Sequence, residues 1–222
     1  FARHVHIEFI LLRIIKLIRN GTPVGSTARE LCMIPSRLVF EEHAKDYDVW
    51  FDEHNSVYQA QLRILRRAIP GFKRGLEVGV GSGRFAVPLG IHYGIDTSQN
   101  LVQMARRRGV EVTRGEAEHL PYRAGSFDFV LMMTVICFLD SIPRAFQETY
   151  RVLGPGGTFV AGFIESGGEI FQKYRREPIK GRFLRFATFR NFDEVFGFFK
   201  DAGFEKVSVL QRVRGFCVMS GR

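Results

Sequence analysis

The spacing of apolar positions divides this sequence into two parts. Up to about residue 70, apolar side chains recur every three or four positions, which predicts amphipathic helices. Val5 to Arg19 predicts one such helix, which ends at Asn20-Gly21-Thr22-Pro23, and Phe40 to Leu65 predicts an aromatic-rich one. From residue 71 onwards, short apolar runs alternate with helix-like segments, a pattern that is typical of a parallel sheet covered by helices.

The second part therefore predicts an α/β fold, a Rossmann-like, doubly wound sheet of seven mostly parallel strands with helices on both faces. The predicted strands are Gly75–Val80, His92–Asp96, Val110–Arg114, Phe127–Met132, Thr158–Phe163, Glu205–Leu210 and Phe216–Ser220. The predicted helices between them are Gly83–Leu89, Asn100–Arg107, Ile142–Val152 and Asp193–Ala202, the last two followed by Gly154 and Gly203 as common helix ends. We interpret residues 1–39 as an N-terminal helical extension and 40–222 as one domain. Within that domain, 40–70 form capping helices and the insert 165–190 is a candidate substrate lid.

Composition and charge narrow the class of protein. Hydrophobic residues make up 45% and charged residues 25% of the chain, which is ordinary for a globular domain. The net charge of +9 predicts either a solvated basic surface or an acidic partner such as nucleic acid, an anionic substrate or a membrane surface. One arginine cluster, Arg106-Arg107-Arg108, ends a predicted helix, where positive charge suits the helix dipole. Charge alone therefore does not identify a nucleic-acid binder.

The cysteines and the apolar runs predict a compartment. Cys32, Cys137 and Cys217 lie far apart and form no CxxC pair, and the histidines form no HExxH arrangement, so we expect a reducing, cytoplasmic environment and no metal. Cys137, inside an apolar run, is interpreted as a buried structural thiol. The longest early run, Phe9 to Leu12, is too short and too closely followed by basic residues to span a bilayer or to act as a signal peptide.

A glycine-rich turn follows the first predicted strand in the string Leu76-Glu77-Val78-Gly79-Val80-Gly81-Ser82-Gly83-Arg84. Glycines at alternate positions let a backbone turn sharply and approach a ligand closely. In an open α/β sheet the crevice at this end of the strands binds ligands. The spacing is ExGxGxG, whereas a dinucleotide fingerprint needs a glycine where Arg84 stands, and no Walker lysine follows. A glycine-rich turn without a ligand is the alternative.

Further segments follow at regular intervals. They are Gly94-Ile95-Asp96-Thr97-Ser98, Arg114-Gly115-Glu116-Ala117-Glu118-His119-Leu120-Pro121-Tyr122, Ser126-Phe127-Asp128-Phe129-Val130 and Tyr150-Arg151-Val152-Leu153-Gly154-Pro155-Gly156-Gly157. An acidic residue at the end of a second strand, here Asp96, can accept two hydrogen bonds from a ribose diol. The alternative role for Asp96 is to cap the helix that follows.

Together these segments, from Leu76 to Phe163, resemble the ordered motifs of the class I S-adenosylmethionine-dependent methyltransferases. The likeness is to their small-molecule branch, which includes quinone-biosynthesis enzymes. The string MMTVICFLD, Met132 to Asp140, is similar to prokaryotic enzymes labelled amine methyltransferases. The resemblance implies a transferase that uses S-adenosyl-L-methionine as cofactor. It would move the methyl group to the N, O or S atom of a small-molecule nucleophile by in-line displacement.

The resemblance also implies the cofactor-binding residues. They are Glu77, Gly79, Gly81, Gly83, Asp96, Thr97, Glu116, Ala117, Glu118 and Met133. Asp96 would hold the ribose hydroxyls, and Glu116, a methylene longer than the Asp common in the family, would read the adenine edge together with the Ala117 amide. Glu118 is the alternative for that role.

The candidate substrate residues are Tyr47, Trp50 and Thr134. Tyr47 and Trp50 lie in a family-like AxxYD region that caps the cofactor in related enzymes, and the alternative is that they pack in a core. We assign no catalytic base, because a neutral amine or a thiolate attacks without one. The insert 165–190 is either a lid over an aromatic or anionic substrate or a surface segment packed by its phenylalanines.

Two other functions remain open at this point. An RNA or protein methyltransferase would use the basic charge and the N-terminal helices, which are also a candidate homodimer surface, and would bind RNA in a salt-sensitive way. A non-catalytic S-adenosylmethionine-binding regulator would bind the cofactor without turnover. Nucleobase amino-methylation is disfavoured, because no Asn/Asp-Pro-Pro-Tyr/Phe string follows the fourth strand.

Overall fold

The computed structural model describes residues 38–69, 71–176 and 183–222, so most of the predicted N-terminal extension, residues 1–37, lies outside the described residues. Seven strands form one sheet in the order β3-β2-β1-β4-β5-β7-β6. The strands are β1 Gly75–Val78, β2 Tyr93–Asp96, β3 Glu111–Arg114, β4 Phe127–Met133, β5 Leu153–Ile164, β6 Ser208–Val213 and β7 Phe216–Gly221. Strands β1 to β5 run parallel, and β7 pairs antiparallel with both β5 and β6. The predicted seven-stranded, mostly parallel sheet is confirmed.

The helices connect the strands and precede the sheet. They are α1 Ala44–Glu53, α2 Asn55–Ala68, α3 Ala86–Leu89, α4 Gln99–Arg107, α5 Ile142–Val152, α6 Glu169–Arg176 and α7 Phe192–Asp201. Residues 38–42 are also helical. Of the helices in the described ranges, none combines the length and the apolar character that crossing a bilayer requires.

The sheet is buried on both faces, as the apolar run of its central strand β4 predicts. Successive side chains of a strand point to opposite faces. Val130 and Met132 join one core with residues of α5 and α7, whereas Phe129 and Leu131 join the other core with residues of α2 and α4. The two layers of helices leave open the ends of the strands, where ligands bind in folds of this kind.

Several element boundaries differ from the predictions. The predicted continuous helix from Phe40 to Leu65 is interrupted at His54, which leaves the helical region and stacks on Trp50 with a ring separation of 4.6 Å. Gly154, expected at a helix end, lies inside β5, because Leu153 already pairs with Phe127 of β4. The predicted strand from Glu205 begins later, at the start of β6, because the amides of residues 205 and 206 donate to the carbonyl of Arg222.

Side-chain caps fix where the longer helices begin. The Ser98 hydroxyl accepts a hydrogen bond from the Leu101 amide at 3.2 Å at the start of α4. At the start of α7, Asn191 and Glu194 form a reciprocal capping box. The cap at Ser98 sets the direction of the chain directly after the end of β2.

Replacing Phe159 by Ala should destabilise the domain strongly. The ring of Phe159 is fully buried, with its centroid 4.9 Å from that of Phe146 and 4.9 Å from that of Phe199. Loss of a buried phenylalanine leaves a cavity and should lower the free energy of unfolding by about 3–5 kcal/mol. Urea unfolding followed by circular dichroism measures this value.

Phe196 on α7 is the matched control, because 39% of it is exposed. Phe196→Ala should cost no more than about 1 kcal/mol. Equal losses for the two variants would contradict the assignment of the core.

Candidate functional site

A cavity of about 970 Å³ opens at the carboxyl ends of β1, β2 and β4. Its wall includes Gly79 and Gly81 after β1, Asp96 at the end of β2, and Met133 and Thr134 at the end of β4. These segments are distant in the sequence and meet because parallel strands end at the same edge of a sheet. The cavity therefore lies where the glycine-rich turn predicts a ligand site.

The glycine turn, residues 79–83, requires glycine for two physical reasons. Gly79 has φ +70° and Gly81 has φ +54°, conformations that side chains disfavour. A Cβ atom would lie 2.2 Å from Val135 Cγ2 if added to Gly79, and 3.0 Å from Tyr47 Cε1 if added to Gly81. The turn is thus packed directly against its neighbours, and its backbone, without side chains, forms part of the cavity wall.

Asp96 binds the glycine turn and also lines the cavity. Its Oδ2 accepts the Gly81 amide at 2.8 Å and its Oδ1 accepts the Ser98 amide at 2.9 Å, and burial raises its pKa. A carboxylate has about four acceptor positions, so these amides do not exhaust it. Asp96 and the neighbouring Thr97 both line the cavity. The side-chain cap of the helix after β2 comes from Ser98 and not from Asp96.

Two of the predicted cofactor residues lie behind the cavity wall. Glu77 is almost fully buried in β1, and its Oε2 has no hydrogen-bond partner among the described residues. Burial raises the pKa of Glu77 well above its ordinary value, although the Ala86 amide donates to this carboxyl group. Gly83 packs against Ala105, 3.4 Å from an added Cβ. Both residues shape the turn and neither lines the cavity.

The predicted adenine segment is divided between cavity and surface. Ala117 and Glu118 line the cavity, and Glu118 Oε1 accepts the amides of Asp140 and Ser141 at 2.9 and 3.1 Å. Glu118 is therefore fixed at the start of α5. Glu116, with 42% of its side chain exposed, lies 3.8 Å from His119 and outside the cavity wall. The structure thus brings Ala117 and Glu118 to the site, and not Glu116.

Thr134 has a backbone conformation that the sequence does not predict. Its φ is +58°, in the left-handed region that is uncommon for a non-glycine residue, and its amide donates to the Gly162 carbonyl at 2.7 Å. Such strain persists where the surrounding structure imposes it, often at functional sites. Thr134 and Met133 both line the cavity, as predicted.

The capping helices contribute aromatic side chains to the cavity wall. Tyr47 and Trp50 of α1 both line it. The Tyr47 ring also packs edge-on against Phe40 at 5.5 Å and Phe51 at 5.3 Å, and burial raises its pKa above the ordinary value. Tyr47 therefore packs against other aromatic rings and also lines the cavity.

The described residues of the insert 165–190 contribute to the cavity wall and pack on the domain. Phe183 stacks on Phe40 with ring centroids 5.1 Å apart, and Phe171 packs on Phe189 at 5.1 Å. Cavity-lining residues from the insert include Ile170, Lys173, Tyr174, Phe183 and Leu184. The contact between Phe40 and Phe183 joins the insert to the capping helices across the wall. Residues 177–182 of the insert lie outside the described residues.

The cavity wall is rich in acidic residues. Among the described residues it contains a single cationic side chain, Lys173, and five carboxylates: Asp46, Glu53, Asp96, Glu118 and Asp140. Three of these, Asp46, Glu53 and Asp140, are absent from the predicted site. Cys137 offers no thiolate near neutral pH, because burial raises its pKa to about 12.

Sequence reasoning missed an ion cluster beside the turn, which we call the clamp: Asp48, Asp52, Ser82, Arg84 and Arg108. Asp48 Oδ1 accepts from Ser82 Oγ at 2.6 Å and from Arg84 Nε at 2.8 Å, and its Oδ2 accepts from Arg108 at 2.8 Å. Arg84 also donates to both oxygens of Asp52 at 2.7 Å. The i,i+4 spacing of two aspartates on a predicted helix is the signal that could have suggested it.

The clamp holds the charge of Asp48 in a nearly buried position. Burial acts to raise the pKa of Asp48, but hydrogen bonds from Arg84, Arg108 and Ser82 outweigh it and hold the pKa well below its usual range. Hydrogen bonds to Asp48 and Asp52 raise the pKa of Arg84. Asp48 and Arg84 therefore both stay ionised at neutral pH, and their ion pair holds α1 against the glycine turn.

Comparison with known proteins gives a consistent result. A family model described as a methyltransferase domain matches residues 76–161. An uncharacterised protein of Methanocaldococcus jannaschii is 36% identical over 175 residues, which cover 79% of this chain and 85% of that protein. The malonyl-[acyl-carrier protein] O-methyltransferase of Geobacter sulfurreducens is 32% identical over 190 residues, covering 78% of this chain and 71% of the relative.

A solved structure is also similar over most of its length. It is a SAM-dependent methyltransferase from Thermotoga maritima, described as a possible histamine N-methyltransferase. The two chains superpose with a TM-score of 0.76 at 35% identity, covering 82% of this chain and 97% of the other.

Replacing Asp48 by Asn should make the free energy of unfolding decrease less steeply as the pH falls from neutral to acid. The folded state lowers the pKa of Asp48, so its contribution is present above the unfolded pKa of about 4 and is lost as pH falls through the folded value. At neutral pH the variant should be less stable by about 1.5–3 kcal/mol. Urea unfolding at a series of pH values measures the difference, which should shrink towards pH ~3. A difference that does not depend on pH would contradict this role.

Proposed function

The chain belongs to the S-adenosylmethionine-dependent methyltransferases, and from that premise we propose that it transfers the methyl group to the nitrogen of a small amine. The main support for the proposal is one continuous cavity whose wall has two chemically different parts. The glycine turn and Asp96 contribute one part. Aromatic and acidic side chains of the capping helices, together with aromatic side chains of the insert, contribute the other. Such a cavity can hold a nucleoside cofactor next to an acceptor.

The described residues suit an adenosyl cofactor better than a dinucleotide. Asp96 offers carboxylate oxygens to a ribose diol, and the turn brings bare backbone to the cavity. A pyrophosphate would need donors or cations at the turn, but the cation next to it, Arg84, is held by Asp48 and Asp52. The donor set therefore favours a ligand without phosphate groups.

We assign the cofactor contacts accordingly. Asp96 and Thr97 hold the ribose, and Gly79, Gly81 and Met133 border the methionine portion. Ala117 and Glu118 border the adenine, while Glu77 and Gly83 act through the shape of the turn and Glu116 takes no direct part. Support for this assignment comes from the cavity wall, which includes the first seven of these residues and omits the last three.

When bound, the cofactor supplies an electrophilic methyl group on a sulfonium and leaves as the neutral thioether S-adenosylhomocysteine. The chain's part is to hold an acceptor nitrogen in line with the bond that breaks, and orientation of this kind can supply about 7–11 kcal/mol. Tyr47, Trp50 and Phe183 place aromatic rings on the part of the wall that would contact the acceptor. A neutral amine attacks through its own lone pair and needs no base, so the proton released afterwards can pass to a wall carboxylate or to water.

Charge and aromatic content favour an amine as acceptor. The chain as a whole carries +9, yet the described cavity wall presents five carboxylates and one lysine. Three of the carboxylates, Asp46, Glu53 and Asp140, are exposed, so they can attract a cationic substrate towards the cavity although solvent and salt screen them. Trp50 and Tyr174 add aromatic rings to that wall, which can pack against the apolar body of an amine. The description of the Thermotoga maritima protein as a possible histamine N-methyltransferase points in the same direction.

Asp96→Ala and Gly81→Val should each weaken cofactor binding in a folded protein. The first change removes the acceptor of charge-assisted hydrogen bonds, and the second places side-chain atoms against Tyr47 at a positive φ. We expect the dissociation constant for S-adenosylhomocysteine to rise at least about tenfold. Isothermal titration calorimetry gives the constant, and circular dichroism checks the fold. Unchanged affinity in both variants would reject the site.

The acceptor class can be tested with the wild-type protein. Formation of S-adenosylhomocysteine should be detected with aromatic and aliphatic amines and should increase with pH as the amine loses its proton. Phenols, thiols, carboxylic acids and RNA serve as the comparison set. Turnover with carboxylic acids or phenols instead would replace N-transfer by O-transfer. Cofactor binding without turnover on any class would favour the regulator.

A further inference from the structure

Helix α1 carries the cavity-facing aromatics and the clamp on neighbouring positions. Tyr47 lines the cavity above the turn, and Asp48, the next residue, is 8% exposed and does not line it. Successive residues of a helix differ in direction by about 100°, so a single orientation of α1 places both side chains. A rotation or shift of α1 would therefore move Tyr47 away from Gly81, whose added Cβ would be only 3.0 Å from the Tyr47 ring.

Asp48 receives donors from three places in the chain. Ser82 and Arg84, in and next to the glycine turn, are 34 and 36 residues away, and Arg108, at the end of α4, is 60 residues away. Arg108 also donates to the Ser82 carbonyl at 2.7 Å. One carboxylate thus fixes α1, the turn and the end of α4 relative to each other.

A second anchor holds the preceding helical segment near Asp96. Glu41 Oε2 accepts from the Ser98 hydroxyl at 2.7 Å, and the Asn100 side chain donates to the Glu41 carbonyl at 2.8 Å. Ser98 is also the residue whose amide binds Asp96. The capping helices are therefore attached on two sides of the proposed cofactor position, with the buried charge on the side of the turn.

From these contacts we infer that Asp48 is a positioning residue for the cofactor, an inference that rests on the proposed function. Through the clamp, Asp48 orients α1 so that Tyr47 closes over the glycine turn. It also pairs with Arg108 and shares the pairing of Arg84 with Asp52, which keeps the charges of both guanidinium groups compensated beside the turn. Removal of one member of such a buried ion cluster leaves uncompensated charge, which is costly.

The chain contains its own reporter for this orientation. Trp50 is the single tryptophan of the sequence, lies two residues from Asp48 on α1 and lines the cavity. Its ring is stacked on His54 and packs edge-on against Phe51 at 5.3 Å. Its fluorescence should therefore respond both to the position of α1 and to a ligand in the cavity.

The decisive measurement is a titration of Asp48→Asn with S-adenosylhomocysteine, followed by calorimetry and by Trp50 fluorescence. We expect the dissociation constant to rise about tenfold or more, since a misplaced α1 no longer covers the turn. The emission of the ligand-free variant should already differ from that of the wild type, and its response to ligand should be smaller. A purely structural role would lower stability without changing this response in the folded fraction.

Asp128→Asn is the matched control. Asp128 accepts the amides of Lys73 at 2.8 Å and Arg74 at 2.9 Å and lies outside the cavity wall, so its loss should leave both affinity and Trp50 response as in the wild type. If Asp48→Asn does not fold, Arg108→Gln, which removes one donor to Asp48, takes its place with an expected loss of about threefold.

The outcomes separate the two proposals. A wild type that does not bind S-adenosylhomocysteine overturns the proposed function and this inference with it. A folded Asp48→Asn, or the substitute Arg108→Gln, that binds within about twofold of the wild type with the same Trp50 response overturns the positioning role alone. Loss of affinity with an altered Trp50 response, in the presence of a normal Asp128→Asn, establishes it.

Discussion

The backbone between β1 and α3 passes through left-handed conformations at alternate residues while it packs between the end of β2 and the capping helices. Amides of this turn bind the Ile95 carbonyl and the carboxylate of Asp96, and side chains of Val135 and Tyr47 occupy the space where a Cβ of the turn would lie. The turn is therefore fixed by strands on one side and by α1 on the other. The carboxylate of Asp96 and the ring of Tyr47 both lie in direct contact with this turn, so their positions depend on its conformation.

Charge is distributed unevenly between the inside and the outside of the domain. The protein is basic, but several of its arginines form ion pairs and hydrogen bonds within the fold. Arg84 and Arg108 bind Asp48, and Arg151 binds Glu148 together with the carbonyls of residues 120 and 122. The described cavity wall keeps an excess of carboxylates. A basic exterior and an acidic cavity are compatible, because a protein of this size can separate the two by its low-dielectric core.

Local sequence determined the fold and the order of the site segments. The pattern of short apolar runs predicted all seven strands, and the glycine spacing after β1 argued against a dinucleotide, while the resemblance to a known family implied the adenosyl cofactor. The family and the cofactor predicted from these motifs are confirmed by the similar proteins. The individual contacts of residues such as Asp96 and Ala117 stay predictions, although both line the cavity. The strands and the order of the site segments can be predicted from the sequence, because backbone conformation and the position of a strand end depend on neighbouring residues.

The closure of the site depended on tertiary structure. The partners of Asp48 lie 34 to 60 residues from it in the sequence, and Phe40 stacks on Phe183 at a still larger separation. No local periodicity in the sequence predicts such contacts. The sequence also did not determine whether Glu116 or Glu118 lines the cavity. The two residues are only two positions apart, and the path of the chain towards α5 decides which of them lies at the site. Long-range packing, which a linear pattern does not encode, decided these contacts.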